Sequence, residues 1–101
     1  MSVNFKEHRR FISMILNGDK SLAKSLLLKA NSRELSALAE LFYNLSILPL
    51  SQEKRKQIGN YRPIFKRYVN NPKERKNLAK KHYKIIKKTL DLVSGFISEI
   101  L

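Results

Sequence analysis

Apolar residues recur along the chain at intervals of three and four positions, the spacing that places side chains on one face of an α-helix. The main apolar stripes cover residues 5–16, 22–27, 35–48, 64–69 and 78–100. The alternation with period two that is typical of strands is absent. The pattern therefore predicts an all-α fold, a compact bundle of five to six helices with a long basic C-terminal helix.

Residues with capping chemistry precede several of these stripes. The predicted N-caps are Asp19, Asn31 with Glu34 as a capping box, and Ser51. Their side-chain oxygens can accept from the backbone amides that the first turn of a helix leaves unpaired. The first helix is predicted over residues 4–16, and Gly18 is predicted to end it in the left-handed conformation.

Proline and glycine divide the middle of the chain. Pro49 is predicted to end the third helix. The pair Gly59-Asn60 predicts a break near Asn60, with a new helix that has Pro63 in its first turn, where the missing amide costs nothing. A single kinked helix through Pro63 is the alternative.

The last helix has the clearest predicted start. Asn71 is expected to cap it, Pro72 to take its first position and Glu74 to close the capping box. We expect this helix to continue to the end of the chain, although Gly95 weakens it. Its predicted core stripe is Leu78, His82, Ile85, Ile86, Thr89, Val93, Phe96, Ile97 and Ile100.

The 101 residues, 43% of them hydrophobic, suffice for one domain with one core. We divide it into an apolar helical core over residues 1–50, a basic helical region over residues 51–88 and the amphipathic end of the last helix over residues 89–101. No internal repeat is found.

Charge is concentrated in one part of the chain. The sequence has 21 Lys and Arg against 8 Asp and Glu, a formal net charge of +13. Between residues 54 and 88 there are fourteen basic residues and a single acid, Glu74. A solvated helix face is the simpler explanation, but such a face usually mixes both signs. The block therefore favours a surface that binds a polyanion.

Nucleic acid, DNA in particular, is the expected partner, because phosphate neutralisation by Lys and Arg releases counterions. The predicted nucleic-acid-binding residues are Lys54, Arg55, Lys56, Arg62, Lys66, Arg67, Lys73, Arg75, Lys76, Lys80, Lys81, Lys84, Lys87 and Lys88. Lysine outnumbers arginine in this set, and arginine is the usual reader of base edges. We therefore expect binding to the phosphate backbone without sequence preference, as in DNA condensation or genome tethering. The helix after Asn31 is too poor in bases to be a recognition helix of a helix-turn-helix motif.

Catalytic and metal chemistry have little support in the sequence. There is no cysteine, and the carboxylates are scattered. No nucleophile elbow, glycine-rich phosphate loop or zinc-protease motif is present. His8 and His82 are expected to be partly buried helical residues. We predict a protein that is not an enzyme and has no catalytic residue, metal site or cofactor.

The apolar segments leave other functions open. The tail can pack on the bundle, join a second copy in a homo-oligomer or lie on a membrane, although its acidic polar side disfavours anionic lipid. An alternative function is a protein interaction module that docks an acidic capsid or host partner. No signal peptide or spanning segment is recognised, so we expect an intracellular protein.

Several short segments, in their order, carry a family resemblance. They are residues 5–12 (FKEHRRFI), 23–27 (AKSLL), 34–40 (ELSALAE), 44–45 (NL), 48–51 (LPLS) and 54–56 (KRK), followed by Tyr61 and the lysine-rich stretch. In this order the chain resembles small basic proteins encoded by adenovirus-like Polinton (adintovirus-type) elements in animal genomes. The resemblance implies a virion or core component, located in the nucleus or virion. The chain departs from the family pattern at Pro63 and in its less glycine-rich tail.

Overall fold

The computed structural model describes residues 8–45 and 48–96. These residues are helical throughout, with short connections and no strand among them. The helices are α1 (Arg9–Asn17), α2 (Lys20–Lys29), α3 (Ser32–Tyr43), α4 (Gln52–Gly59), α5 (Arg62–Asn70), α6 (Arg75–Lys81) and α7 (Tyr83–Leu92), with a 3₁₀ turn at Pro72–Glu74. The all-α prediction is confirmed.

The predicted caps of three helices are present. Asp19 accepts from the Leu22 amide at 2.8 Å, and Ser51 accepts from the Lys54 amide at 3.3 Å. Asn31 and Glu34 accept reciprocally from each other's backbone amides, which completes the capping box. Each of these bonds joins residues three positions apart, so the local sequence suffices to specify it.

The helix end at Gly18 differs from the prediction. Gly18 is extended, with φ −87° and ψ 169°, rather than left-handed. A methyl group on Gly18 would lie 2.6 Å from Leu22 Cδ2 and 3.1 Å from Leu22 Cβ. Close approach between α1 and α2, not a positive φ, therefore explains the glycine.

Helix α3 ends earlier than Pro49, at Tyr43. Asn44 closes it, because its side-chain amide donates to the Glu40 carbonyl at 2.8 Å and competes with the next helical turn. Leu45 and Leu48 are nevertheless buried, as the apolar stripe predicted.

The break before Pro63 is confirmed. Helix α4 ends at Gly59, with Asn60 as its C-cap, and α5 begins at Arg62 with Pro63 in its first turn. The kinked continuous helix is therefore wrong.

The predicted long C-terminal helix is divided. Asn71 does not cap, because its side-chain amide donates to the Arg67 carbonyl at 3.0 Å, and Glu74 pairs with Arg67 instead of closing a capping box. A second interruption lies at His82, between α6 and α7, where φ is −114° and ψ is 29°. Lysines at i,i+4 spacing on both sides of His82 repel one another and weaken a continuous helix there.

Helix α7 ends at Leu92, although residues 94–96 are helical again. Ile97 and Ile100 of the predicted stripe, and the start of the first predicted helix, lie outside the described residues.

The core lies between α3 and α5 on one side and α1, α2, α6 and α7 on the other. Helix α3 packs on α5 and α6, whereas α1 and α2 pack on α7, and α2 also packs on α6. Phe42 stacks on Phe65, with ring centroids 4.4 Å apart, and meets the edge of Tyr68 at 5.2 Å. The Tyr68 hydroxyl donates to the Leu35 carbonyl at 2.8 Å, and burial raises the pKa of this phenol. The result is a compact molecule of 33 × 26 × 26 Å in which α6 and α7 each have one buried and one exposed side.

Candidate nucleic-acid interface

Helices α6 and α7 present most of the exposed lysines of the basic block. Their buried side is formed by residues such as Leu78, Ala79, Ile86 and Leu90, so positions on the opposite side face solvent. The exposed lysines there, with Lys73 from the preceding 3₁₀ turn, are Lys73, Lys76, Lys80, Lys81, Lys84 and Lys88. None of them forms an ion pair within the described part of the chain.

A seventh lysine joins this set from α2. Lys24 Nζ lies 5.3 Å from the centroid of the Tyr83 ring, and Lys84 Nζ lies 6.0 Å from the same centroid. The phenol ring therefore draws two ammonium groups from different helices to one place by cation–π attraction. We call the surface formed by Lys24, Lys73, Lys76, Lys80, Lys81, Lys84 and Lys88 the lysine face.

Sequence reasoning did not identify Lys24. It belongs to the near-neutral first half of the chain, and its proximity to Tyr83 depends on the packing of α2 on α6 and α7. Lysines are common on the exposed side of any helix. No local sequence signal therefore marks Lys24 as part of a binding surface.

Lys87 does not belong to the lysine face, although it was predicted to bind phosphate. Its side chain is only 10% exposed, and its ammonium group donates to the Leu16 carbonyl and, at 2.8 Å, to Asp91. Leu16 lies in the last turn of α1, where carbonyls lack helical partners and a cation is favourable. Lys87 is therefore a structural link between α7 and α1, and its charge is already compensated.

Two arginines of the predicted set also serve the fold. Arg75 donates to the carbonyls of Tyr68 and Val69 at 3.0 and 2.9 Å, near the end of α5. Arg55 donates to the carbonyls of Leu50 and Leu48 at 3.3 and 2.7 Å. Arg75 thus holds the backbone near the end of α5, and Arg55 holds the backbone that precedes α4. Fewer of their N–H groups can therefore bind a ligand.

Arg67 forms an exposed pair with Glu74. The distance between Arg67 Nη2 and Glu74 Oε1 is 2.9 Å, and this hydrogen bond holds the pKa of the Glu74 carboxyl below its usual range. Glu74, the single acid of the basic block, is thereby already paired with an arginine.

His82 lies next to Lys81 at the end of α6. Partial burial, followed by the charges of Lys81 and Arg67, lowers the pKa of His82. His82 consequently borders the lysine face as a neutral side chain at neutral pH.

The other predicted residues lie around α4 and α5. Lys54 and Lys56 are exposed on α4. Arg62 and Lys66 line an open groove between α3, α4 and α5, together with Arg55 and the exposed ring of Tyr43. The predicted set is thus not one surface: six of its lysines lie on the lysine face, three cations line this groove, and the others are exposed on α4 or held in contacts within the fold.

Two other kinds of site, a metal centre and a membrane-spanning helix, are not found in the part of the chain that the structure describes. Among residues 8–45 and 48–96, no three His, Asp or Glu side chains are grouped as metal ligands. Within the same ranges, no helix has both the length and the apolar character needed to cross a bilayer.

Comparisons of the chain with known protein families, curated proteins and solved structures give no match.

Proposed function

We propose that this protein is a non-catalytic, sequence-nonspecific nucleic-acid-binding protein that contacts the phosphate backbone, of DNA in particular, through the lysine face. The observation that carries the proposal is the set of seven exposed lysines, from α2, the 3₁₀ turn, α6 and α7, without a carboxylate partner among the described residues. Such one-signed clustering costs stability through repulsion, and a polyanion relieves that repulsion.

The chemistry of the face favours backbone contact over base recognition. An ammonium group is a compact point charge that binds phosphate from many directions, whereas bidentate reading of guanine requires the planar fork of arginine. Arg67, the arginine that lies near the lysine face, is already paired with Glu74. Tyr83 is half-buried, with two ammonium groups near its ring, which supports a role in positioning the lysines rather than stacking on bases.

Condensation or tethering of a genome is the biological role that fits such binding. A small protein with a net charge of +13 neutralises phosphates without selecting a sequence. The resemblance to Polinton-encoded proteins extends this proposal to a virion or nuclear component of a viral-type element.

The proposal is tested by fluorescence anisotropy with labelled duplexes of two unrelated sequences, titrated at several salt concentrations. We expect equal affinity for both sequences and a slope of log affinity against log salt steeper than about −3, because each phosphate neutralised contributes about −0.9. A single-stranded probe, with its lower charge density, should give a shallower slope. Absence of binding at low salt, or affinity that does not change with salt, would refute the proposal.

A further inference from the structure

The groove between α3, α4 and α5 has a hydrocarbon floor. It encloses about 490 Å³, within the size range of ligand sites in proteins. The apolar lining is formed by Phe42, Leu45, Leu50, Ile58, Phe65 and Val69. All of these side chains except the partly buried Val69 belong to the core, so the floor of the groove is an edge of the core.

The polar lining of this groove has one sign of charge. Arg55, Arg62 and Lys66 line it, and no carboxylate does. Arg62 and Lys66 are exposed and form no ion pair within the described residues. We call this surface the cationic groove. An occupant must therefore combine apolar groups for the floor with negative charge for Arg62 and Lys66.

Tyr43 extends the apolar surface at the mouth of the cationic groove. Its side chain is 73% exposed, whereas the neighbouring Phe42 is 5% exposed and stacks on Phe65. The last turn of α3 thus places one ring in the core and the next at the groove. An exposed aromatic ring beside a pocket with arginine is the composition found in binding hot spots of protein interfaces.

We propose that the cationic groove binds an acidic amphipathic helix of a partner protein. Apolar side chains at i, i+3 or i+4 and i+7 of such a helix enter the groove, and carboxylates on its flanks meet Arg62 and Lys66. This interaction surface is independent of the lysine face and of the proposed binding to nucleic acid.

The apolar floor of the cationic groove favours a protein side chain over a nucleotide as its occupant. A bound base needs hydrogen-bond partners for its polar edges, and unpaired polar groups in an apolar pocket are costly. Apart from the three cations and the Tyr43 hydroxyl, Asn70 is the polar side chain of the lining. An apolar side chain flanked by carboxylates matches both parts of the lining, and charge complementarity sets its orientation.

Gly59 provides a direct test, because it lines the groove and is not among the predicted nucleic-acid-binding residues. A methyl group added there meets no atom within 4 Å, so a side chain at this position starts without a clash. Gly59→Glu places a carboxylate beside the cations, and Gly59→Gln adds a side chain of nearly the same shape without the charge. Tyr43→Ala removes the exposed ring without opening the core.

The probe is a labelled helical peptide with Leu and Phe at i, i+3 and i+7 and with Glu and Asp on its flanks. A scrambled peptide of equal composition is the control for charge alone. We expect the patterned peptide to bind at least about tenfold more tightly than the scrambled one, a difference of 1.4 kcal/mol. Gly59→Glu should weaken binding more than Gly59→Gln does, and Tyr43→Ala should weaken it several-fold. All three variants should keep their helical circular dichroism and their affinity for duplex DNA.

The outcome of this test is separable from that of the DNA titration. A protein with Lys80→Gln and Lys84→Gln should bind the patterned peptide as the unmodified protein does. Equal binding of patterned and scrambled peptides, or equal effects of the two Gly59 variants, would overturn the proposal. So would loss of duplex binding in Gly59→Glu with peptide binding unchanged, since the groove would then belong to the nucleic-acid surface.

Discussion

The lysine face and the cationic groove both arise from the same basic block, yet their surroundings differ. On α6 and α7 the lysines cover helices whose apolar side is buried, so an approaching ligand meets ammonium groups and water. Around α4 and α5 the cations surround an opening into the core. Equal charge is therefore compatible with the two different partners that we propose, because the apolar area beside the charge differs.

Helix α5 lines the groove and also contributes a charge near the lysine face. Lys66 lines the groove, whereas Arg67, about 100° further around the helix, pairs with Glu74 in the 3₁₀ turn and lowers the pKa of His82. Two adjacent cations of one helix therefore have different surroundings. We expect the two surfaces to respond to different substitutions.

The largest effect is expected from neutralising the lysine face. The triple variant Lys76→Gln, Lys80→Gln and Lys84→Gln should reduce duplex affinity more than about tenfold and reduce the salt slope by about one per lysine. Anisotropy titrations measure both quantities. Tyr43→Ala, at the groove, is the matched control and should change neither. A triple variant with the original salt slope would remove the functional distinction between the two surfaces.

An intermediate effect is expected where the lysine face meets the core. Lys87→Ala removes a hydrogen-bonded ammonium group at the end of α1 and should lower the free energy of unfolding by about 1.5–3 kcal/mol, measured by urea denaturation. It should leave the salt slope of DNA binding unchanged, because Lys87 is buried.

Lys88, the exposed neighbour of Lys87, should contribute to DNA binding rather than to stability. Lys88→Ala should alter stability by less than about 0.5 kcal/mol and reduce the salt slope by about one. If the two variants had the same effects on stability and on the slope, the separation of buried from exposed lysines would be wrong.

The smallest effect concerns pH. Partial burial, then Lys81 and Arg67, lower the pKa of His82 below its usual value of 6.5. The unfolded chain therefore takes up the proton first as the pH falls. The contribution of neutral His82 to stability is complete above the unfolded-state pKa of about 6.5 and is lost as the pH falls from there through the lower pKa of the folded protein.

Denaturation of the unmodified protein and of His82→Gln on both sides of this pH measures the contribution. The variant should lose less stability between neutral and mildly acidic pH. Duplex DNA should raise the pKa of His82 in an NMR titration, because phosphates offset the neighbouring cations. A pKa that does not respond to DNA would place His82 away from the bound surface.

Short-range features of the fold follow from the residue pattern. The caps at Asp19, Asn31 and Ser51 and the restart at Arg62 were all predictable, since each depends on side chains within a few positions of one another. The predicted cap at Asn71 is wrong, because the Asn71 side chain donates to the Arg67 carbonyl and Glu74 pairs with the Arg67 guanidinium group. Competing partners at similar distance along the chain make such local rules ambiguous.

The amino-acid sequence by itself determined that this protein is helical, that its charge lies in one block and that this block is nearly free of acids. Only the tertiary structure decided which cations share a surface. The ammonium groups of Lys24 and Lys84 both lie near the Tyr83 ring, whereas the buried Lys87 donates to the Leu16 carbonyl. Arg62 and Lys66 line an apolar groove. Helical periodicity specifies which side of a helix is apolar, whereas burial of a cation and its neighbours depend on how distant helices pack.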